Sequence, residues 1–208
     1  MLYQSTPSNL KALIRSIGVL KLDHILKFFR NKDDKIRLNF YIQYLIENNF
    51  VDYYKPEKLI FSKDLARVGE DGTAYSNLYN LDHDVVDGLV RTFWAISSAF
   101  DSDYIKEIFA LGGYPAILIC LTKSEIYDLC YLRNSQDISY YNLKHKIYEI
   151  ENADVDDDMY HIAVIDPESL EDDTFRKKLY DSFFDAFCVY DEKNSALFQE
   201  MEALIDGM

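Results

Sequence analysis

Amphipathic helices are predicted three times within the first 50 residues, because apolar residues recur there every three or four positions. The first helix follows Pro7, a residue that favours the first turn, and ends at Gly18. The second begins at Asp23, and the third runs over residues 34–48. The positions of the third helix that we expect to face inward are Leu38, Ile42 and Leu45.

A β-hairpin is predicted directly after the third helix. Residues 50–54 and 59–62 are mostly apolar and aromatic, and Pro56 lies at the second position of the turn between them. Val19 and Leu20 add a short strand before the second helix. Three helices followed by a hairpin predict a winged helix-turn-helix over residues 6–64, in an N-terminal domain of residues 1–67.

The remainder is predicted to be an acidic α/β domain, residues 84–208, after a linker or boundary loop at residues 68–83. Its first helix begins near residue 84 and, after a break near residues 101–103, is expected to continue as helix to residue 112. Strands are predicted at residues 116–121, 126–132, 160–165 and 186–190, helices at 170–184 and 195–205, and residues 140–151 fit either state. The predicted fold class is α+β, with a mixed sheet of four to five strands in the second domain.

The two predicted domains differ in the sign of their charge. Residues 1–67 contain 12 Lys and Arg against 7 Asp and Glu, net +5, whereas residues 68–208 contain 10 against 29, net −19. The total of −14 by itself argues against a nucleic-acid partner, since affinity for a polyanion depends largely on neutralising phosphates. The basic N-terminal part keeps that partner open, and the asymmetry indicates separate tasks for the two parts.

Motifs of common enzyme and metal sites are absent from the sequence. It has no G-x-G-x-x-G or G-x-x-x-x-G-K phosphate loop and no G-x-S-x-G elbow. The acidic segment at residues 154–158 is spaced like a calcium loop, but Met159 and Ile165 stand where such a loop needs Gly and Glu. The four histidines lack metal-ligand spacing and are expected to be ordinary surface or hydrogen-bonded residues: His24, His83, His145 and His161. We therefore expect no enzyme activity, no metal and no cofactor.

Compartment is indicated by apolar runs and cysteines. The longest apolar runs, such as residues 116–121, fall far short of the roughly 20 residues of a membrane-spanning helix. Cys120, Cys130 and Cys188 form no C-x-x-C pair and are expected to be reduced thiols. These features predict a cytoplasmic protein without membrane contact.

The second domain also has the element order of the PD-(D/E)xK nucleases: helix, three strands, helix, strand. Those enzymes hold a metal between an Asp on the second strand and an E-x-K on the third. Asp128 lies in a suitable strand, but the strand at residues 160–165, YHIAVI, has no E-x-K. A restriction-endonuclease-like domain here is expected to lack the cleavage chemistry, because the metal would have too few ligands.

DNA contacts are predicted for the third helix and the hairpin tip. In a winged helix the third helix enters the major groove and the wing touches the phosphate backbone. Asn and Gln side chains read adenine edges, while Lys and Arg read guanine or bind phosphate. The predicted DNA-binding residues are Lys32, Lys35, Arg37, Asn39, Gln43, Lys55 and Lys58.

The same helix face supports a second interpretation. Opposite its inward positions, a helical wheel places three apolar or aromatic residues, Ile36, Phe40 and Tyr44. A groove-reading face is usually more polar, so we expect a second subunit, another protein or the acidic domain to cover this one. These three residues are the predicted protein interface if the winged helix binds protein.

The segments LKLDHILKFF and IRLNFYIQYLIENNFVDYY, together with the hairpin, resemble the winged-helix proteins of plasmids and conjugative elements, of the replication-relaxation type. In that family a comparable winged domain precedes an α/β domain in low-GC bacteria. The resemblance covers residues 8–64 in pattern and the rest in element order. It implies a DNA-associated role in the replication or transfer of a mobile element.

These observations predict a non-enzymatic regulatory or accessory protein. Its winged helix would contact double-stranded DNA, and its acidic domain would mediate homodimer or partner contact. Two alternatives remain at this stage. One is a protein-interaction module that uses the third helix, and the other is a nuclease-like protein without activity.

Overall fold

The computed structural model describes residues 6–29, 32–63, 82–111, 114–151 and 159–204. These residues form a mixed α+β structure with six α-helices and two β-sheets, which confirms the predicted class. The predicted linker at residues 68–83 lies almost entirely outside the described residues, as does the acidic segment at residues 154–158. No helix of the described residues is both long enough and apolar enough to cross a membrane.

The described residues between 6 and 63 form three helices and three short strands in the predicted order. They are α1 (Pro7–Ile17), β1 (Val19–Lys21), α2 (Leu22–Phe28), α3 (Lys32–Glu47), β2 (Val51–Tyr54) and β3 (Leu59–Ser62). The Thr6 hydroxyl caps α1 by accepting from the Asn9 N–H at 3.2 Å. Gly18 ends the helix with φ 100°, and its N–H donates to the Ile14 carbonyl at 2.8 Å.

The small sheet is antiparallel, with the strand order β1-β3-β2. Val19 pairs with Phe61 on one side of the central strand, and Val51 pairs with Ser62 on the other. The Leu22 N–H at the start of α2 donates to the Lys58 carbonyl at 2.9 Å, so the hairpin turn is anchored to the second helix.

The rest of the described chain forms one six-stranded sheet with helices on both faces. Its elements are α4 (His83–Ala99), β4 (Ile105–Leu111), β5 (Ile117–Thr122), β6 (Ile126–Leu132), α5 (Ser135–Glu151), β7 (Met159–Ile165), α6 (Asp173–Tyr180), β8 (Ala186–Val189) and β9 (Gln199–Glu200). The strands lie side by side in chain order. The pairs β6–β7 and β7–β8 are parallel, and the other neighbours are antiparallel.

Two predictions about this sheet were wrong. It has six strands, where four to five were expected, because residues 105–111 and 199–200 are strands that the sequence pattern assigned to helices. Ile105 and Ile108 are both buried although they lie three positions apart, since the strand register shifts between Ile105 and Glu107. Such a β-bulge produces a helix-like spacing within a strand.

The other helices of this part also differ from the prediction in extent. Residues 140–151, which fitted either state, belong to the long helix α5. The helix expected at residues 170–184 is the shorter α6, preceded by a 3-10 turn at Pro167–Glu171. The prediction of a C-terminal helix at residues 195–205 was wrong. This stretch contains the short strand β9 and, after it, a 3-10 turn at Met201–Leu204.

Side chains of the sheet alternate between two hydrophobic cores. In β6, Leu129 and Tyr131 face the core that includes α4, whereas Cys130 and Leu132 face the core that includes α5 and α6. Because both faces are buried at the centre of the sheet, β5 is a nearly continuous apolar run, ILICLT, whereas the edge strand β4 carries the exposed Lys106 and Glu107.

The N-terminal elements pack on the α4 side, and their core is continuous with that of the sheet. The rings of Phe28 in α2 and Phe93 in α4 lie 5.5 Å apart. Lys21 forms an ion pair with Glu192, and the Lys27 ammonium donates to the Asn194 carbonyl at 2.8 Å. The basic N-terminal part is therefore held directly against the acidic part.

Candidate functional site

The outer face of α3 is exposed in the described structure. Ile36, Phe40 and Tyr44 have exposed fractions of 64%, 69% and 50%. They lie four residues apart along one line of the helix, opposite the buried Leu38 and Ile42. We call these three residues the α3 strip. Within the described residues, no other element covers the α3 strip.

Three of the predicted DNA-binding residues lie beside the α3 strip, on the same helix. Arg37, Asn39 and Gln43 are all exposed. Lys55 and Lys58 are exposed in the turn between β2 and β3. Lys32 and Lys35 belong to the first turn of α3, but their side chains lie outside what the structure describes.

Several polar groups of this surface are engaged by neighbouring side chains. The Lys58 ammonium donates to Asp23 at 2.9 Å, and this hydrogen bond raises the pKa of Lys58. The Gln43 amide donates to Glu47 at 2.8 Å. Because acidic partners offset part of the basic charge, the surface favours modest electrostatic affinity for phosphate.

The apolar surface extends beyond α3 to Phe50, which lies between the end of the helix and β2. Phe50 is 39% exposed, and its ring centroid lies 6.5 Å from that of Tyr44. The Lys11 ammonium lies 3.7 Å from the centroid of the Phe50 ring, a cation–π contact that brings a positive charge to the edge of the patch. The α3 surface therefore combines exposed apolar area with nearby cations.

A cluster of polar side chains lies on the face of the large sheet that packs against α5, away from α4 and the N-terminal elements. It consists of Asp128 on β6, Tyr141 and His145 on α5, and His161 on β7, and we call it the histidine cluster. The Tyr141 hydroxyl lies 2.9 and 2.8 Å from the two Asp128 carboxylate oxygens and 2.8 Å from His161 Nδ1. His161 Nδ1 lies 3.1 Å from Asp128 Oδ1, and the Nε2 atoms of the two histidines are 3.2 Å apart.

Aromatic packing holds the histidine cluster in place. The Phe184 ring stacks on Tyr141 with centroids 4.1 Å apart, and the Phe183 ring stacks on His145 at 4.5 Å with an interplanar angle of 8°. Burial and the nearby Asp128 charge raise the pKa of the Tyr141 hydroxyl well above its ordinary value. Tyr141 therefore stays protonated and acts as a hydrogen-bond donor in this cluster.

Sequence reasoning did not bring the histidine cluster together. It considered the histidines one by one and singled out Asp128 only as a candidate nuclease residue. Two features of the sequence pointed towards this cluster. Tyr141 and His145 are one helical turn apart, and Asp128 and His161 lie in two apolar strands. The missing information was the parallel register of β6 and β7, which places Asp128 directly opposite His161.

The surroundings of Asp128, the candidate nuclease residue, and of the three cysteines bear on metal binding. They contain no group of three or more His, Cys, Asp or Glu side chains arranged to hold a metal ion. The Asp128 carboxylate accepts from Tyr141 and faces His161. Cys120, Cys130 and Cys188 are buried free thiols, and burial raises the pKa of Cys120 and Cys188 to about 12.

Comparison with known proteins gives no relative for this arrangement. No protein-family model, no curated protein and no solved structure matches the chain. The resemblance to replication-relaxation proteins therefore remains a prediction from the sequence, and function has to be argued from the two sites themselves.

Proposed function

We propose that this chain is a DNA-associated regulatory or accessory protein of a mobile element and has no enzyme activity. Residues 1–67 would form a winged helix that contacts double-stranded DNA, and residues 84–208 an acidic domain for dimer or partner contact. The single observation that carries the proposal is the uncovered outer face of α3, beside a hairpin with an exposed basic turn.

The topology of the first 63 residues supports the winged-helix interpretation. The order α1, β1, α2, α3, β2, β3 and the antiparallel order β1-β3-β2 place a hairpin directly after the third helix. In this architecture the third helix enters the major groove, and the hairpin lies against the sugar-phosphate backbone. Arg37 and Asn39 would then contact base edges, and Lys55 a phosphate.

A substitution experiment tests the DNA-binding role. In full-length protein, the double variant Arg37→Ala, Asn39→Ala removes two exposed side chains of α3 and should weaken binding to a fluorescent duplex by about tenfold or more, as for the loss of one or two base contacts. Lys177→Ala on α6 is the matched control, because it removes an exposed positive charge far along the chain. Equal affinities of the wild type and the double variant would contradict the role of α3.

A second candidate function is self-association through the α3 strip. The observation that favours it is the exposure of Ile36, Phe40 and Tyr44, because a contiguous apolar helix face usually marks a protein contact. A dimer formed in this way would bury the face that the DNA proposal leaves open. The two functions therefore compete for the same face of α3.

Light scattering separates the two candidates. If the strip is a dimer interface, Phe40→Asp should convert a dimer to a monomer, because it places a charge in an apolar contact. Leu197→Asp is the control, since Leu197 is 72% exposed and lies outside the strip. An unchanged mass for Phe40→Asp would remove this candidate.

We also propose that the second domain has a restriction-endonuclease-like fold but does not cleave DNA. Supporting it is the order α4, β4, β5, β6, α5, β7, with β5 antiparallel to both neighbours. Counted from α4, the third strand is β6, so Asp128 and Cys130 stand where E-x-K is required, and β5, ILICLT, has no acidic residue. Cleavage of DNA with magnesium or manganese that Asp128→Ala abolishes would contradict the proposal of an inactive domain.

A further inference from the structure

The outer face of α5 carries three large apolar side chains. Tyr140, Leu143 and Ile147 have exposed fractions of 42%, 57% and 47%. Their spacing, three residues and then four, is that of the a and d positions of a coiled coil, and it places them within about 60° of one another around the helix. Ile138 and Tyr141, on the opposite side of α5, are buried. We call the three exposed residues the α5 seam.

Positive charge flanks the α5 seam on both sides. In the heptad of the seam, Lys144 occupies position e and Lys146 position g, the two positions whose charges select a partner helix. Lys146 is exposed, and the Lys144 ammonium donates to the Pro115 carbonyl at 3.2 Å, which fixes its position beside the seam. Asp137 is the only acidic residue among residues 135–147, and it is 2% exposed. This stretch of α5 therefore presents an apolar centre with cationic edges.

The charge of the α5 seam is opposite to that of the domain around it. Residues 68–208 carry −19 in total, but at physiological salt an exposed charge acts mainly within roughly 8–10 Å, so a helix lying along the seam meets the two lysines first. A second copy of α5 would bring the same two lysines and a further net charge of −14 to the contact. The seam is therefore poorly matched to itself and well matched to a helix with acidic flanks.

We propose that the α5 seam binds an amphipathic helix of another protein that has apolar residues at positions a and d and Asp or Glu at e and g. The proposal rests on the partner role proposed above for the acidic domain, and it names the chemistry of that partner. Burial of the seam supplies the free energy of binding, and ion pairs with Lys144 and Lys146 select the partner and its register. The contact leaves the α3 strip open.

A synthetic helix tests the proposed specificity. A fluorescent peptide of about three heptads, with Leu at a and d and Glu at e and g, is titrated with the full-length protein while its anisotropy is recorded. The matched peptide has Lys at e and g. The wild type should bind the Glu peptide and should bind the Lys peptide about tenfold or more weakly, because two favourable charge pairs are exchanged for two unfavourable ones.

Three variants connect the binding to the α5 seam. Leu143→Gln removes the central apolar contact at an exposed position and should weaken binding of the Glu peptide by about tenfold or more. Lys144→Glu combined with Lys146→Glu should reverse the preference, so that the Lys peptide binds more tightly. Lys123→Glu combined with Lys193→Glu is the matched control. It makes the same change in net charge at exposed positions outside α5 and should keep the wild-type preference.

The proposal is overturned if the wild type does not bind the Glu peptide, if both peptides bind equally, or if the double reversal leaves the preference unchanged. Light scattering that shows a wild-type dimer dissociated by Leu143→Gln would also overturn it, because a second copy would then occupy the seam. Failure of peptide binding while the wild type still binds duplex DNA would remove this proposal and leave the DNA-binding role standing.

Discussion

His24 is a titratable residue inside the core that joins the N-terminal elements to α4. It is 4% exposed, and one Glu192 oxygen lies 3.8 Å from its Nε2 atom. Burial lowers the pKa of His24 from 6.5 to about 4, with the charges of Lys21 and Lys27 acting in the same direction and Glu192 opposing them. At neutral pH the imidazole is therefore uncharged in the folded protein.

The depressed pKa makes folding stability depend on pH. Between pH 6.5 and about 4, the unfolded chain binds a proton at His24 that the folded protein does not, so stability falls as the pH falls through this window. From about pH 7 to about pH 5 the free energy of unfolding should drop by about 2 kcal/mol on account of this residue. Urea denaturation at both pH values measures the drop.

Two variants isolate the contribution of His24. His24→Leu should show a smaller drop between the two pH values, whereas His83→Leu, at an exposed position, should behave like the wild type. If His24→Leu keeps the full pH dependence of the wild type, other groups are responsible.

At the scale of elements, the sequence predicted correctly the helices and strands whose ends are marked by a capping residue or a turn residue. The Thr6 cap and Gly18 define α1, and the turn around Pro56 defines the hairpin. By contrast, β4 and β9 depend on partners far along the chain: Ile108 pairs with Cys120, and Glu200 pairs with Ala186. Spacing alone could not reveal these strands, because their identity is decided by pairing within the sheet.

The candidate sites also differ in whether they depend on one element or on several. A helical wheel of α3 was sufficient to place Ile36, Phe40 and Tyr44 on the outer face, since that property belongs to one element. The histidine cluster needs three elements and one strand register, so no single stretch of sequence contains it. Sites within one element are therefore predictable here, and sites between elements are not.

Gly88 determines how closely α4 approaches the sheet. A Cβ atom at this position would lie 3.1 Å from the Ala116 Cβ atom, closer than about nine in ten such contacts in proteins. Gly88→Leu should therefore destabilise the fold by about 1–3 kcal/mol, because the larger side chain forces the helix from the strand. Ala99→Leu, at the exposed end of α4, should be near neutral in the same urea denaturation. Wild-type stability of Gly88→Leu would show that this close approach is not needed.

At the scale of the whole molecule, a basic part and an acidic part share one core. Residues 1–67 carry +5 and residues 68–208 carry −19, and contacts such as Phe28 with Phe93 hold the two parts together. The negative charge of the acidic part therefore opposes the approach of DNA to α3 over the range that salt screening allows. Affinity for duplex DNA should be modest and should depend on a few cations rather than on the net charge.

The most direct test of the proposed function is the affinity of the full-length protein for a mixed-sequence DNA duplex at two salt concentrations. Binding should be measurable at about 50 mM salt and weaker at about 200 mM, with a slope of roughly −2 to −4 in log affinity against log salt, as expected for a few phosphate contacts. Absence of binding at the lower salt concentration would contradict the DNA-associated role.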